Sequence, residues 1–130
     1  MQKYQKTLVV EKDDLDELDH VNNVRYVQWI QDISKEHWLK VCPEEIRNTS
    51  IWVVMTHHIT YKFAAKLGDV INIETYISKS KGARSERIVE MHDARTGQLL
   101  LHSKTEWCLL NSKSLKPVRI PEEVKKMFHP

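Results

Sequence analysis

Several protein classes are excluded by what this sequence has little of. It contains two cysteines, Cys42 and Cys108, and no C-x-x-C pair. A disulfide framework is therefore not expected, and both thiols fit small buried side chains in a reducing compartment. Glycine occurs three times, at Gly68, Gly82 and Gly97, each time between patterned segments. It punctuates turns here and forms no flexible linker. No apolar run approaches the ~18 residues of a membrane span. The longest is "IWVVM". The first residues, "MQKYQKTLVVEKDD", hold no apolar h-region, so a secretory leader is not expected and a cytoplasmic location is. Charge of one sign is lacking too. Lys plus Arg number 20 against 18 Asp plus Glu, a net charge of +2. That excess does not suit a protein that binds a nucleic-acid duplex, although a local basic patch could still meet a phosphate.

What remains fits one soluble globular domain over residues 1–130, with 41% hydrophobic and 29% charged residues. "KTLVVE" reads as a short strand. "NNVRYVQWIQDISKEHWLKVC" reads as a helix, with Val24, Val27, Ile30, Trp38 and Val41 at spacings near three and four. Tyr26, Trp29 and Ile33 widen its apolar sector, so the helix is expected to be covered on several sides. Asn22 suits the N-cap, and Pro43 helps to stop the helix. From residue 51 the period changes to two. "IWVVMTHHITY", "DVINIETYIS", "RSERIVEMHD" and "QLLLHSKTEWCLL" read as four strands. "KSKGAR" and "DARTGQ" read as hairpin turns, the second with Gly97 placed for a positive φ. "KPVRIPEEVKKMF" ends in a short helix begun by Pro121. The expected fold class is α+β: one long helix against one antiparallel sheet, with sheet edges that favour self-association.

Five acids, Asp13, Asp14, Asp16, Glu17 and Asp19, gather just before the helix, followed by His20, Asn22 and Asn23. A solvated, capping loop accounts for most of them. A carboxylate aimed at a helix N-terminus is the chemical alternative for one. "DLDELDHVNNVRYVQWI" resembles the D-x-D-x-x-x-H-V-N-N-x-x-Y motif of hotdog-fold acyl thioesterases, the 4-hydroxybenzoyl-CoA thioesterase-like family with its plant and bacterial acyl-carrier-protein relatives. "ITYKFAAKLGDVINIETYI", "DARTGQLLLHSKTEWCLL" and "LKPVRIPEEV" are similar to later parts of that family. The resemblance implies a hotdog fold, a curved antiparallel sheet wrapped around a central helix, assembled as a homodimer or a dimer of dimers. It implies hydrolysis of acyl-CoA or acyl-carrier-protein thioesters, with coenzyme A or phosphopantetheine as part of the substrate and no resident cofactor.

By the same resemblance Asp16 is the key carboxylate, as nucleophile or as general base. His20 joins the catalytic set, and the backbone N–H of Asn23 is the oxyanion donor. Asn22 and Tyr26 are candidate substrate contacts or, respectively, a cap and a core residue. In the plant-type pattern an asparagine stands two positions before the histidine, where this sequence has Leu18. A non-catalytic acyl-CoA-binding module on the same fold is therefore the alternative, and a hydratase a weaker third.

His57 and His58 are adjacent on an expected strand, so they point to opposite faces and cannot readily share an ion. No metal is expected, but either could line the substrate channel. Lys79, Lys81, Arg84 and Arg87 surround the "KSKGAR" turn as a charged hairpin tip. In the functional reading this group, Lys81 and Arg84 above all, meets the phosphates of the carrier.

Overall fold

The computed structural model describes residues 2–129. One five-stranded sheet holds β1 (Tyr4–Val9), β2 (Ser50–Tyr61), β3 (Val70–Lys81), β4 (Arg84–Asp93) and β5 (Leu99–Asn111) in the order β1-β3-β4-β5-β2. Every neighbouring pair is antiparallel. The long helix α1 (Asn23–Val41) follows β1, and two short helices, α2 (Glu44–Arg47) and α3 (Glu122–Phe128), complete the chain. This is the expected α+β hotdog arrangement. Several details differ from the sequence expectations: β1 ends at Val9 and not at Glu11, and Val24, expected on the apolar side of α1, is 75% exposed. β1 starts at Tyr4, because Tyr4 and Gln5 pair with Thr75 and Glu74. Past Pro43 the chain forms the extra turn α2.

Local chemistry sets the ends of α1. Asn22 Oδ1 accepts from Val24 N at 3.0 Å, which satisfies one of the free N–H groups of the first turn. At the other end Cys42 precedes Pro43, whose ring disfavours a helical conformation there, and Cys42 is extended at φ −86° and ψ 133°. The turns use glycine where the backbone demands it. Gly82 (φ +63°) closes β3–β4 and Gly97 (φ +77°) the β4–β5 hairpin.

The face α1 buries carries Tyr26, Trp29, Ile30, Ile33, Ser34 and His37. It packs on inward residues of the sheet such as Ile71, Ile73, Val89, Met91 and Leu101, all fully buried. A second apolar group joins Ile77, Leu109, Ile120, Val124 and Phe128, with α3 as its lid. The pairing register shifts between Val54 and Thr56, between Ile77 and Lys79 and between Met91 and His92. Such bulges add bend and twist, which lets one sheet curve over one helix. Cys42 and Cys108 are both buried free thiols, as expected.

Arg87 corrects the hairpin-tip reading. It is only 5% exposed, on β4 beneath α1. Period-two alternation explains this: Arg87 shares its phase with Ser85, Val89 and Met91, all of them buried. Its Nη1 donates to His37 Nδ1 at 2.8 Å and to Thr75 Oγ1 at 3.0 Å. A guanidinium can only donate, so His37 Nδ1 accepts and Nε2–H donates to Gln2 Oε1 at 2.7 Å. Burial, helped by the Arg87 charge, pushes the His37 pKa from 6.5 down to about 4. The unfolded chain therefore takes up this proton more readily than the folded one. Stability from a neutral His37 is present above pH 6.5 and is lost as pH falls toward about 4. In urea unfolding at pH 7 and pH 4.5, His37→Gln is expected to lose less stability across that interval than the parent protein. Equal losses would place the pH sensitivity elsewhere.

Candidate active site

The acidic stretch folds into a small closed loop. Leu15 and Val21 form an antiparallel bridge, and Asp16 N donates to His20 O at 2.7 Å. Asp19 makes the reversal at φ +60°, a conformation aspartate tolerates better than most residues. Asp16 Oδ1 accepts from Leu18 N at 2.9 Å and from His20 N at 3.1 Å. Its carboxylate is thus oriented by the loop's own backbone, and Oδ2 makes no hydrogen bond among the described residues.

The neighbouring acids have separate duties. Asp14 pairs with Arg25 Nε at 3.0 Å and accepts from Glu11 N at 2.8 Å, while its carbonyl accepts from Asn22 N at 2.9 Å. Arg25 Nη2 also donates to Asp13 O at 3.2 Å. These contacts fasten the loop to the first turn of α1. Arg25 is partly solvent-exposed and Asp14 half-buried, so screening keeps the pair's contribution small and its value here is positional. Glu17 and Asp19 are exposed, as expected of loop residues.

A second segment is tied to the same place through Ala65, which is fully buried. Ala65 O accepts from Val21 N at 3.0 Å, and Ala65 N donates to Tyr26 Oη at 3.1 Å. Burial pushes the Tyr26 phenol above its ordinary pKa of 10.0, with the Ala65 hydrogen bond opposing. The neutral hydroxyl thus accepts from Ala65 and keeps its own proton to donate.

Asp16, His20, Asn23 and Tyr26 line one open cavity of about 200 Å³. Its other walls are Val21, Tyr61 at the end of β2, and Lys62, Phe63 and Ala64 in the chain that follows. The Asn23 N–H, at the first position of α1, has no hydrogen-bond partner among the described residues. The chemical content is therefore a half-free carboxylate, an unpaired helix-terminal N–H and a phenol around one space. Among the described residues no group of three or more His, Cys, Asp or Glu is placed to hold a metal ion.

The other candidates lie elsewhere. Asn22 is exposed and spends its side chain on the cap. His57 and His58 sit on β2, where His57 Nδ1 meets Thr105 Oγ1 at 2.9 Å. Lys81 and Arg84 flank Gly82, and Arg84 is paired with Glu106. Arg84 lies level with Cys108 and Val53, whereas the cavity lies level with Tyr61 and Leu101. Eight residues of strand separate them, about 26 Å. Within one protomer the cavity and this basic turn are far apart. Leu18 contributes its backbone N–H to Asp16, and its side chain is 71% exposed and outside the cavity walls. Sequence reasoning did not single out Tyr61, Lys62, Phe63 or Ala64. Their only signal was the "ITYKFAAKLGD" likeness, since nothing in their residue types marks a site.

The class is defined by the fold, a curved antiparallel sheet packed on one long helix. The sequence model of the thioesterase-like superfamily matches residues 10–128, and the chain belongs to that superfamily. An acyl-CoA thioesterase of Haemophilus influenzae is 36% identical over 78 residues, which cover 60% of this chain and 56% of the relative. A palmitoyl-acyl carrier protein thioesterase of Arabidopsis thaliana is 30% identical over 90 residues, covering 68% of this chain but 21% of the plant protein. The chain thus spans about a fifth of the length of such plant relatives. Two solved structures share the fold. A Staphylococcus aureus protein in complex with CoA gives a TM-score of 0.89 at 18% identity, over 98% of this chain and 82% of that one. A 12:0-ACP thioesterase from Umbellularia californica gives 0.84 at 19% identity, over 98% of this chain and 50% of that one.

The Ala65 tie gives a direct expectation. Tyr26→Phe leaves a buried N–H unpaired and should lower unfolding free energy by about 1–3 kcal/mol. Urea titration measures this, and an unchanged midpoint would show that the tie carries no weight.

Proposed function

We propose that the chain hydrolyses acyl thioesters, yielding a carboxylate and a free thiol, with acyl-CoA or acyl-carrier protein as substrate. One observation carries this reading. Asp16, whose Oδ2 has no hydrogen-bond partner among the described residues, and Asn23, whose N–H has none, line the same cavity. A thioester carbonyl oxygen at that N–H sits at the positive end of α1, where negative charge developing in the transition state is stabilised. Oδ2 then either attacks the carbonyl carbon, displacing the thiolate, or takes a proton from the attacking water. In the first route water cleaves the resulting anhydride and regenerates the carboxylate. In the second the proton passes to the leaving thiolate. Tyr26 can donate to substrate, and His20 borders the same space. The relatives named acyl-CoA and acyl-carrier-protein thioesterases support both carrier classes.

A second reading is an acyl-CoA-binding module without turnover, because among the cavity's walls only Asp16 and His20 offer side chains able to activate water. A panel of acyl-CoA esters with thiol detection separates the two. Asp16→Asn is expected to lower turnover by roughly 10²–10⁴-fold with little change in melting temperature. No turnover of any acyl chain, with thermal stabilisation by acyl-CoA retained, would establish the binding module instead.

We infer that the working unit is a homodimer or a dimer of dimers joined through β2. This strand is an edge of the sheet, 12 residues long, and exposes Ile51, Met55 and Tyr61. An unpaired edge of that length is a template for a second chain. Light scattering should give at least twice the mass of one chain, and Met55→Lys should shift the population toward monomer. A monomeric parent protein would rule the edge pairing out.

A further inference from the structure

A second cavity, larger than the one that holds Asp16, lies elsewhere in the molecule. It encloses about 400 Å³ between the second half of α1 and the sheet, within the size range of small-molecule pockets. The two cavities share no residue. Tyr26 and Ser34, one on each, stand eight helical residues apart, about 12 Å. Trp38, Trp52 and Trp107 supply apolar walls, and Arg87, Lys35 and Arg47 also line the space. No aspartate or glutamate does.

Arg87 is the unusual member. A buried charge is normally paired with an opposite one. None of the ion pairs among the described residues involves Arg87. Burial lowers its pKa to about 9, which still leaves it charged at neutral pH. Nη1 spends both protons on His37 and Thr75. Nε–H and the two Nη2 protons have no protein acceptor among the described residues. His37 and Thr75 hold the guanidinium plane in place, so the remaining donors form a preset fork. Trp107 Nε1 is also buried without an acceptor. The charged side chains that line this cavity are therefore all positive.

We propose that this cavity binds a carboxylate carrying an apolar tail, with the carboxylate forked on Arg87 and the tail between the tryptophans. A planar carboxylate matches the guanidinium fork in two parallel hydrogen bonds. A monoanion neutralises the one buried charge. The tail replaces water against indole faces. The site is separate from the thioester cavity, so the proposal stands whether or not the chain hydrolyses thioesters.

The test is titration of the full chain with octanoate, 1-octanol and acetate, read by tryptophan fluorescence and calorimetry. Octanoate is expected to bind at least roughly tenfold tighter than either. Arg87→Met should reduce octanoate to the level of octanol, while Asp16→Asn leaves octanoate affinity unchanged. If Arg87→Met does not fold, Ser85→Leu decides. It keeps the charge but fills the space, and should lose octanoate binding. Equal affinity for octanoate and octanol would overturn the proposal, as would undiminished octanoate binding in Arg87→Met or Ser85→Leu. Acetate binding as tightly as octanoate would leave a small-anion site only. Loss of octanoate in Asp16→Asn would move the ligand to the thioester cavity.

Discussion

Burial of α1 against one side of one sheet is the constraint that arranges the rest of the molecule. The helix is covered along Tyr26, Trp29, Ile30, Ile33, Ser34 and His37, and a flat sheet could not reach all of them. The three register shifts let the strands curve over it. Curvature has a second effect, because it leaves space at both ends of the interface. One space faces the N-terminus of α1 and the other its C-terminal half.

The N-terminal space is built largely from backbone groups. Asp16 is oriented by two backbone N–H donors, the loop closes through its own peptides, and the wall after β2 is hung on the two peptide groups of Ala65. Such a frame depends on chain path more than on side-chain identity. That is why a leucine at position 18 is compatible with an intact loop: its N–H does the work and its side chain stands in solvent. Preorganised backbone donors also need little rearrangement when charge develops on a substrate, the property a thioester-cleaving site requires.

The C-terminal half follows a different logic. A polar chain from Gln2 through His37, Arg87 and Thr75 to the Ile88 carbonyl crosses the interface beneath α1. Tyr4 stacks on His37 at 5.6 Å between ring centroids, and Phe128 packs edge-on to it at 4.9 Å. The aromatic shell covers the His37 side of this network, where a low local dielectric strengthens each hydrogen bond, while Arg87 also borders the larger cavity. Apolar side chains of similar shape would serve plain stability as well. A fixed guanidinium with donors left over fits the proposed ligand better than it fits a plain core.

The sequence by itself determined the elements and one end of the site. Period-two and period-3.6 patterns, the Asn22 cap, Pro43 and the turn glycines are local signals, so the strands, the helix and their order were legible from them. The spacing of Asp16, His20, Asn23 and Tyr26 was legible because one loop and one helical turn carry all four. Only the tertiary structure decided the rest. Tyr61, Lys62, Phe63 and Ala64 join the cavity through the Ala65 tie, a contact between distant parts of the chain that no local pattern encodes. Arg87 looked like a surface charge because its neighbours along the sequence are charged. Its side was set by strand phase and by pairing with a helix 50 residues away, where burial and hydrogen bonding, not sequence neighbourhood, fix what a charge can do.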